Sequence, residues 1–157
     1  MSEILIIIGL ILLNGVFSMS EVAMISARKS RLSTDAKKGS KAAKKALDLS
    51  GNPDRFLSTV QIGITLIGIL TGIYSGNKIA TDLTDFMLSC GVSSAYAAVL
   101  AQGTIVVVVT YLTIIFGELV PKRIGLSVAE AVAKLMARPM NVLAMIASPF
   151  VLSLIHI

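Results

Sequence analysis

Three long apolar blocks dominate the amino-acid sequence, and each is long enough to cross a lipid bilayer. They run from Ile4 to Ala27, from Phe56 to Gly76 and from Ala95 to Gly117. A helix needs about 20 apolar residues to cross the roughly 30 Å hydrocarbon core of a membrane. Hydrophobic residues make up 55% of the chain, more than a water-soluble domain usually carries. We therefore predict an all-α integral membrane protein with three transmembrane helices, at residues 4–27, 56–76 and 95–117.

The segment between the first two blocks, residues 28–55, is strongly basic and indicates how the chain is oriented. It carries nine of the fourteen Lys and Arg residues of the chain: Arg28, Lys29, Arg31, Lys37, Lys38, Lys41, Lys44, Lys45 and Arg55. The loop after the second block has only Lys78, beside Asp82 and Asp85. Because basic loops stay in the cytoplasm, we predict an outer N-terminus and a cytoplasmic segment 28–55. The cell membrane, as the inner membrane of a bacterium, is the expected location.

Outside the three blocks, the sequence predicts short helices in residues 28–55 and a loop or short helix after Asn77. Ser75 and Asn77 are expected at a helix end. Residues 128–157 are predicted to form a juxtamembrane, moderately amphipathic region on the cytoplasmic side. Its apolar end, residues 142–157, has Pro149 at its centre, so a kinked span, a re-entrant piece and an interfacial helix all remain open.

The first block contains polar side chains on one helical face. Asn14, Ser18 and Glu21 follow one another at i, i+4 and i+7, which aligns them along one side of a helix. Polar groups at membrane depth are costly and often functional. An amide, a hydroxyl and a carboxylate are the oxygen ligands that Mg²⁺ accepts. The alternative is that Asn14 and Ser18 form hydrogen bonds between helices while Glu21 lies at the membrane interface.

The third block ends in Gly117, Glu118 and Pro121. A proline lacks the N–H that would bind the carbonyl four residues back, here that of Gly117, and its ring clashes with that carbonyl. We therefore expect a broken or ended helix with free carbonyls beside a carboxylate, which at membrane depth must face a cavity, water or an ion. The alternative is an ordinary helix end at the interface, where Glu118 pairs weakly with Lys122.

The second block and the remaining residues carry weaker signals. The small and hydroxyl residues of the second block favour close helix packing, and they are Gln61, Thr65, Gly68, Thr71, Gly72 and Ser75. Cys90, the only cysteine, is interpreted as a small apolar residue, and His156, the only histidine, is given no role. No catalytic constellation is recognisable, so no enzyme is expected. No nucleic-acid module is recognisable either, so the expected partners are the lipid bilayer and a second copy of the chain.

Three motifs resemble the membrane domain of the CNNM/CorC family, and they appear in family order across nearly the whole chain. The first is the run from Asn14 to Ala23 (NGVFSMSEVA) followed by the basic segment. The second is QIGITL, starting at Gln61, and the third is FGELVPK, ending at Lys122. The resemblance implies a homodimer of three-span protomers that transports Mg²⁺, by efflux and with Na⁺ coupling in some members. Mg²⁺ would be the transported ion, and no organic cofactor is implied.

The resemblance also implies which residues bind the ion. Carried over to this sequence, the family's site corresponds to Asn14 and Ser18 on the first helix and to the Gly117 carbonyl and Glu118 on the third. Further metal or pathway candidates, with less support, are Glu21, Gln61, Thr65 and Gly68. An asparagine found on the second helix of some relatives has no clear counterpart, because Ile64 and Gly68 occupy that region. We expect neither the CBS pair nor the C-terminal domain of family members within these 157 residues. A non-transporting membrane anchor or an ion-sensing module is the alternative function.

Overall fold

The computed structural model describes residues 2–76 and 78–155, without the side chains of Lys78 and of residues 150–155. Asn77, His156 and the last residue of the predicted segment 128–157 lie outside the described residues. Helices account for almost all of the described part, which contains no strand, so the all-α prediction is confirmed. The elements are α1 (Ser2–Ser26), α2 (Lys29–Lys37), α3 (Lys41–Gly51), α4 (Pro53–Gly76), α5 (Lys78–Ser89), α6 (Ser94–Ile114), a π-helical segment (Ile115–Leu119), α7 (Val120–Ser127) and α8 (Ala129–Ile155).

Three helical stretches among the described residues are long and apolar enough to cross a membrane. They are α1, the stretch that begins at Pro53 with α4, and the continuous stretch Ser94–Ser127 formed by α6, the π segment and α7. Large apolar side chains on their outer faces are uncovered, including Leu5, Val99 and Val107. Such faces suit lipid rather than water. The predicted three spans are therefore confirmed, while the predicted orientation of the N-terminus remains a prediction.

Helix α1 is the centre of the bundle. It packs against α4 on one side, against the π segment and α7 on another, and against α8. The core between α1, α4 and α8 is built from bulky side chains, of which Phe17, Met24, Phe56, Val60 and Ile67 are buried. This core fixes how α4 is rotated about its own axis, and so decides which of its residues face inward.

The basic segment forms a hairpin of two short helices, α2 and α3, that lies against α8. A left-handed glycine, Gly39 with φ 93°, ends α2, and the N–H of Ser40 donates to the Asp35 carbonyl across the turn. Such a turn closes the end of a helix and favours glycine because it has no Cβ. The Ser40 hydroxyl then caps α3 by accepting the N–H of Ala43 at 3.2 Å. The predicted short helices thus form a compact unit.

The C-terminal region forms one helix, α8, with Pro139 and Pro149 inside it. Its buried residues recur every three or four positions, which makes one inward stripe: Ala129, Val132, Ala133, Ala137, Met140 and Ala144. This stripe contacts α1, α3 and α4. Among the described residues, α8 does not belong to the stretches that qualify as membrane spans.

Candidate functional site

The third span does not end at Pro121 as expected, but continues through it to Ser127. Ahead of the proline, the helix widens into the π segment, where the N–H of Val120 donates to the carbonyl of Ile115, five residues back. The physical reason for the difference is that a wider turn makes room for the proline ring without ending the helix. The register of the helix is therefore interrupted, although its course is not.

The carbonyl of Gly117, which Pro121 cannot bind, receives a donor from α1. The side-chain nitrogen Nδ2 of Asn14 donates to it at 3.1 Å, across 103 residues of sequence. Asn14 is 3% exposed, and its other amide atom, Oδ1, is buried without a hydrogen-bond partner. Because a carbonyl only accepts, the amide nitrogen must face Gly117 and the amide oxygen is left free. The structure thus brings two of the predicted site residues into contact.

Glycines allow α1 and the π segment to approach this closely. A Cβ added to Gly15 would lie 2.8 Å from the carbonyl oxygen of Phe116 and 2.8 Å from Cγ of Pro121. A Cβ added to Gly117 would lie 3.1 Å from Nδ2 of Asn14. Such distances leave no space for any side chain at Gly15. The main chains of the two elements therefore hold Asn14 in place.

Ser18 lies one helical turn beyond Asn14 and is completely buried. Its hydroxyl oxygen has no hydrogen-bond partner, whereas the hydroxyl of the neighbouring Ser20 donates to the Val16 carbonyl at 2.6 Å. Burying an unpaired hydroxyl costs on the order of 1–3 kcal/mol. Two such oxygens on one face of α1, Oδ1 of Asn14 and Oγ of Ser18, are the expected mark of a site for a ligand that supplies the missing interaction.

Glu118 is half-buried and lines a cavity between α4 and α6 of about 330 Å³. Gly68, one of the less supported candidates, lines the same cavity. Glu118 directly follows Gly117 in the π segment, so the carboxylate and the Asn14 contact share one turn of helix. The predicted residues Asn14, Gly117 and Glu118 therefore lie around one short stretch of backbone.

The other candidates lie elsewhere. Glu21 is half-buried near the end of α1, and both Gln61 and Thr65 are exposed on α4. Neither Gln61 nor Thr65 lines the cavity next to Glu118. The structure does not bring these three residues to Asn14 and Glu118.

Sequence reasoning missed part of the cavity wall. Thr71, Gly72 and Ser75 had been assigned to helix packing, and Thr110 and Thr113 on α6 had not been singled out, yet all five line the cavity. The spacing of Val106, Thr110 and Thr113 at i, i+4 and i+7 places them on one helical face. That spacing, ahead of Glu118, is the signal that could have found them.

Within the described part of the chain, no three His, Cys, Asp or Glu side chains converge in a way that could hold a metal ion. A divalent cation at this place would therefore be bound by the one carboxylate of Glu118 together with neutral oxygens. Those available here are Oδ1 of Asn14, Oγ of Ser18 and the second lone pair of the Gly117 carbonyl. Such a donor set suits a hard cation that keeps part of its water shell.

Comparison with known proteins gives a consistent picture. The sequence profile described as "CNNM: Cyclin M transmembrane N-terminal domain" matches residues 5–157. The chain is 47% identical over 149 residues to the UPF0053 protein sll0260 of Synechocystis and 32% identical over 149 residues to the UPF0053 protein YhdP of Bacillus subtilis. It is 33% identical over 151 residues to the polyamine export protein of Escherichia coli. These alignments cover 95%, 95% and 96% of the chain but only 33%, 34% and 34% of the relatives, so the chain spans about a third of their length.

Proposed function

The chain belongs to the CNNM transmembrane family, and on that premise we propose that it is the membrane domain of a divalent-cation transporter whose cargo is Mg²⁺. One observation carries the proposal: two buried oxygens without partners, Oδ1 of Asn14 and Oγ of Ser18, lie on the face of α1 where Asn14 contacts Gly117, beside Glu118. We propose Asn14, Ser18, Gly117 and Glu118 as the ion ligands.

The chemistry of Mg²⁺ supports this set. The ion takes about six oxygens at roughly 2.1 Å and gives up its water reluctantly. One carboxylate supplies charge, while an amide, a hydroxyl and a carbonyl supply neutral oxygens, and water completes the shell. A site with one full negative charge binds more weakly than a cage of carboxylates, which favours release of a transported ion. Gly68 would form part of the wall, and Glu21, Gln61 and Thr65 would act, if at all, at a distance from the ion.

Calorimetric titration with Mg²⁺ in detergent tests the site. Ser18→Ala and Glu118→Gln should each weaken binding by about tenfold or more, because each removes an oxygen ligand. Ser20→Ala is the matched control, since its hydroxyl already has the Val16 carbonyl as partner, and it should bind Mg²⁺ as the wild type does. Wild-type protein that binds no Mg²⁺, or unchanged binding by both site variants, would show that the site is wrong.

The relatives suggest a second cargo. Because one relative is named a polyamine export protein, an organic diamine is the alternative, and its ammonium groups would also bind an acceptor-only site. Flux measured in the same proteoliposomes with Mg²⁺ and with 1,4-diaminobutane distinguishes the two cargoes. A non-transporting anchor or ion-sensing module would move neither, although the sensor would still bind Mg²⁺. Efflux and coupling to Na⁺ belong to the same proposal, and flux with and without an imposed Na⁺ gradient tests the coupling.

We further propose a homodimer in a bacterial cell membrane, with the N-terminus outside. The clustering of Lys and Arg in residues 28–55 supports this orientation. Cys90 is exposed at the turn between α5 and α6, on the opposite side from the basic segment, and is a ready reporter. A membrane-impermeant maleimide should label Cys90 in intact cells. Labelling only after the cells are opened would reverse the orientation. Light scattering of the detergent-solubilised protein tests the dimer.

A further inference from the structure

The cavity beside Glu118 runs along two helices in one direction. On α4 its wall extends from Gly68 to Ser75, one residue before the helix ends, and on α6 it extends from Ile114 back towards the helix start at Val106. Glu118 is therefore at one end, and the other end points to the part of the bundle where α4 ends and α6 begins. The wall consists of Gly68, Thr71, Gly72, Ser75, Val106, Val109, Thr110, Thr113, Ile114 and Glu118.

The hydroxyl groups of this wall offer lone pairs and hold back their protons. Thr71 donates to the Ile67 carbonyl at 2.8 Å, Thr113 to the Val109 carbonyl at 2.8 Å and Ser75 to the Gly72 carbonyl at 3.1 Å. With each proton bound to its own helix, what these groups have left is acceptor capacity. A wall of acceptors that leads to a carboxylate favours cations and their hydration water.

Two glycines keep the cavity open. A Cβ added to Gly68 or to Gly72 would meet no atom within 4 Å, in contrast with the filled space around Gly15. A volume of about 330 Å³ holds on the order of ten water molecules at ~30 Å³ each. That is enough for a Mg²⁺ ion with its six-water shell.

We propose that this cavity is the vestibule through which hydrated cations pass between Glu118 and the end of the bundle where α4 ends and α6 begins. The inference rests on the proposed cation transport and adds its route. Cations keep their water along the acceptor wall and exchange part of it for protein oxygens only at the π segment. The glycines are then required as gaps, and the threonine hydroxyls as a substitute for bulk water.

Filling the vestibule is the direct test. Gly72→Val should project methyl groups into open space without a clash, and should lower the rate of Mg²⁺ entry into proteoliposomes by about tenfold, as a hydrophobic obstruction in a water-filled path does. Equilibrium binding of Mg²⁺ in detergent should stay at the wild-type value. The matched control is Gly103→Val on α6, where an added Cβ also meets no atom within 4 Å and the cavity is not lined.

Removing the oxygens without changing the shape is the second test. Thr71→Val and Thr113→Val should each lower the flux several-fold, whereas Thr104→Val should not. Thr104 is an exposed residue of α6 whose hydroxyl donates to the Leu100 carbonyl in the same way and lies outside the cavity. Wild-type flux in both Gly72→Val and Thr71→Val would overturn the vestibule and leave the transporter proposal intact. A wild-type protein that moves no Mg²⁺ and no diamine would overturn both.

Discussion

The two sides of α1 are packed in opposite ways. Towards the π segment and α7, main chain meets main chain: a Cβ on Gly15 would lie 2.8 Å from the Phe116 carbonyl, and one on Gly125 would lie 2.7 Å from the Met19 carbonyl. Towards α4 and α8, the space is filled by side chains such as Phe17 and Phe56. The first side has no soft atoms to move, while the second consists of rotatable groups.

This difference separates geometry from cohesion. The glycine side fixes the distance between Asn14 and the Gly117 carbonyl, because neither backbone can retreat without separating the helices. The side-chain core holds the bundle together and tolerates adjustment, because side chains in a core can repack when volume is preserved. We therefore expect the candidate ion site to depend on the glycine side far more than on the larger core.

The largest effect is expected for Gly15→Val. Its added atoms overlap the Phe116 carbonyl and the Pro121 ring, so α1 must move away from the π segment, at a cost of about 3 kcal/mol in the free energy of unfolding. Thermal unfolding in detergent, followed by circular dichroism, measures the cost, and Mg²⁺ titration should show that binding is lost. Gly9→Val is the control on the same helix, because a Cβ there meets no atom within 4 Å. Equal stability of the two variants would contradict the proposed rigidity of this side.

A smaller effect is expected for Gly63→Ala on the opposite side. The added Cβ would lie 2.9 Å from Cδ1 of Phe17, but the ring can turn away, so a cost of about 1 kcal/mol is expected. Combining this substitution with Phe17→Leu should recover part of the loss, which a double-variant cycle of melting curves measures. No recovery would mean that this side is as unyielding as the other, and the contrast would fail.

The unpaired hydroxyl of Ser18 gives a prediction in which stability and binding change in opposite directions. Because that hydroxyl has no partner in the folded protein, Ser18→Ala should leave the free energy of unfolding unchanged or raise it by up to about 1 kcal/mol in Mg²⁺-free buffer. Added Mg²⁺ should stabilise the wild type more than the variant, as binding to the folded state requires. A clear loss of stability without Mg²⁺ would indicate that Ser18 has a structural partner.

The smallest effect is expected at the contact of α2 with α8. Lys134 donates a hydrogen bond to Asp35 at 2.8 Å, and that bond, together with the charge of Lys134, lowers the pKa of Asp35 below its ordinary value of 3.8. Because the pKa is lowered in the folded state, the contribution to stability is present above pH 3.8 and disappears as the pH falls below it. Asp35→Asn should therefore lower the melting temperature slightly at pH 7 and hardly at pH 3. Asp48→Asn, at another exposed acid, should have no such pH-dependent effect.

The sequence was sufficient for the spans and for one face of α1. Apolar runs of this length have few alternatives to a membrane helix, and the spacing of Asn14 and Ser18 alone places both on one side. The contact of Asn14 with Gly117 follows less directly, since it needs α1 and the third span to approach at Gly15. That approach depends on two stretches separated by about a hundred residues, which local periodicity does not encode.

The remainder depends on how helices are rotated against each other. A proline inside a helical pattern can end, bend or widen the helix, and the packing of α1 against Pro121 favours widening here. The inward face of α4 is set by Phe56, Val60 and Ile67, which turns Gln61 and Thr65 outward and Thr71 towards α6. Sequence spacing identifies faces but does not say which face meets which neighbour.

The π segment also makes the chain sensitive to its own length at one place. A single-residue deletion between Ile115 and Leu119 would allow an ordinary α-helical turn to close. Everything after it would then rotate by about 100° about the helix axis. Gly125 would swing away from Met19, and a bulkier neighbour would meet the main chain of α1 instead. Insertions and deletions at this turn are therefore expected to be excluded as strictly as substitutions of the glycines themselves.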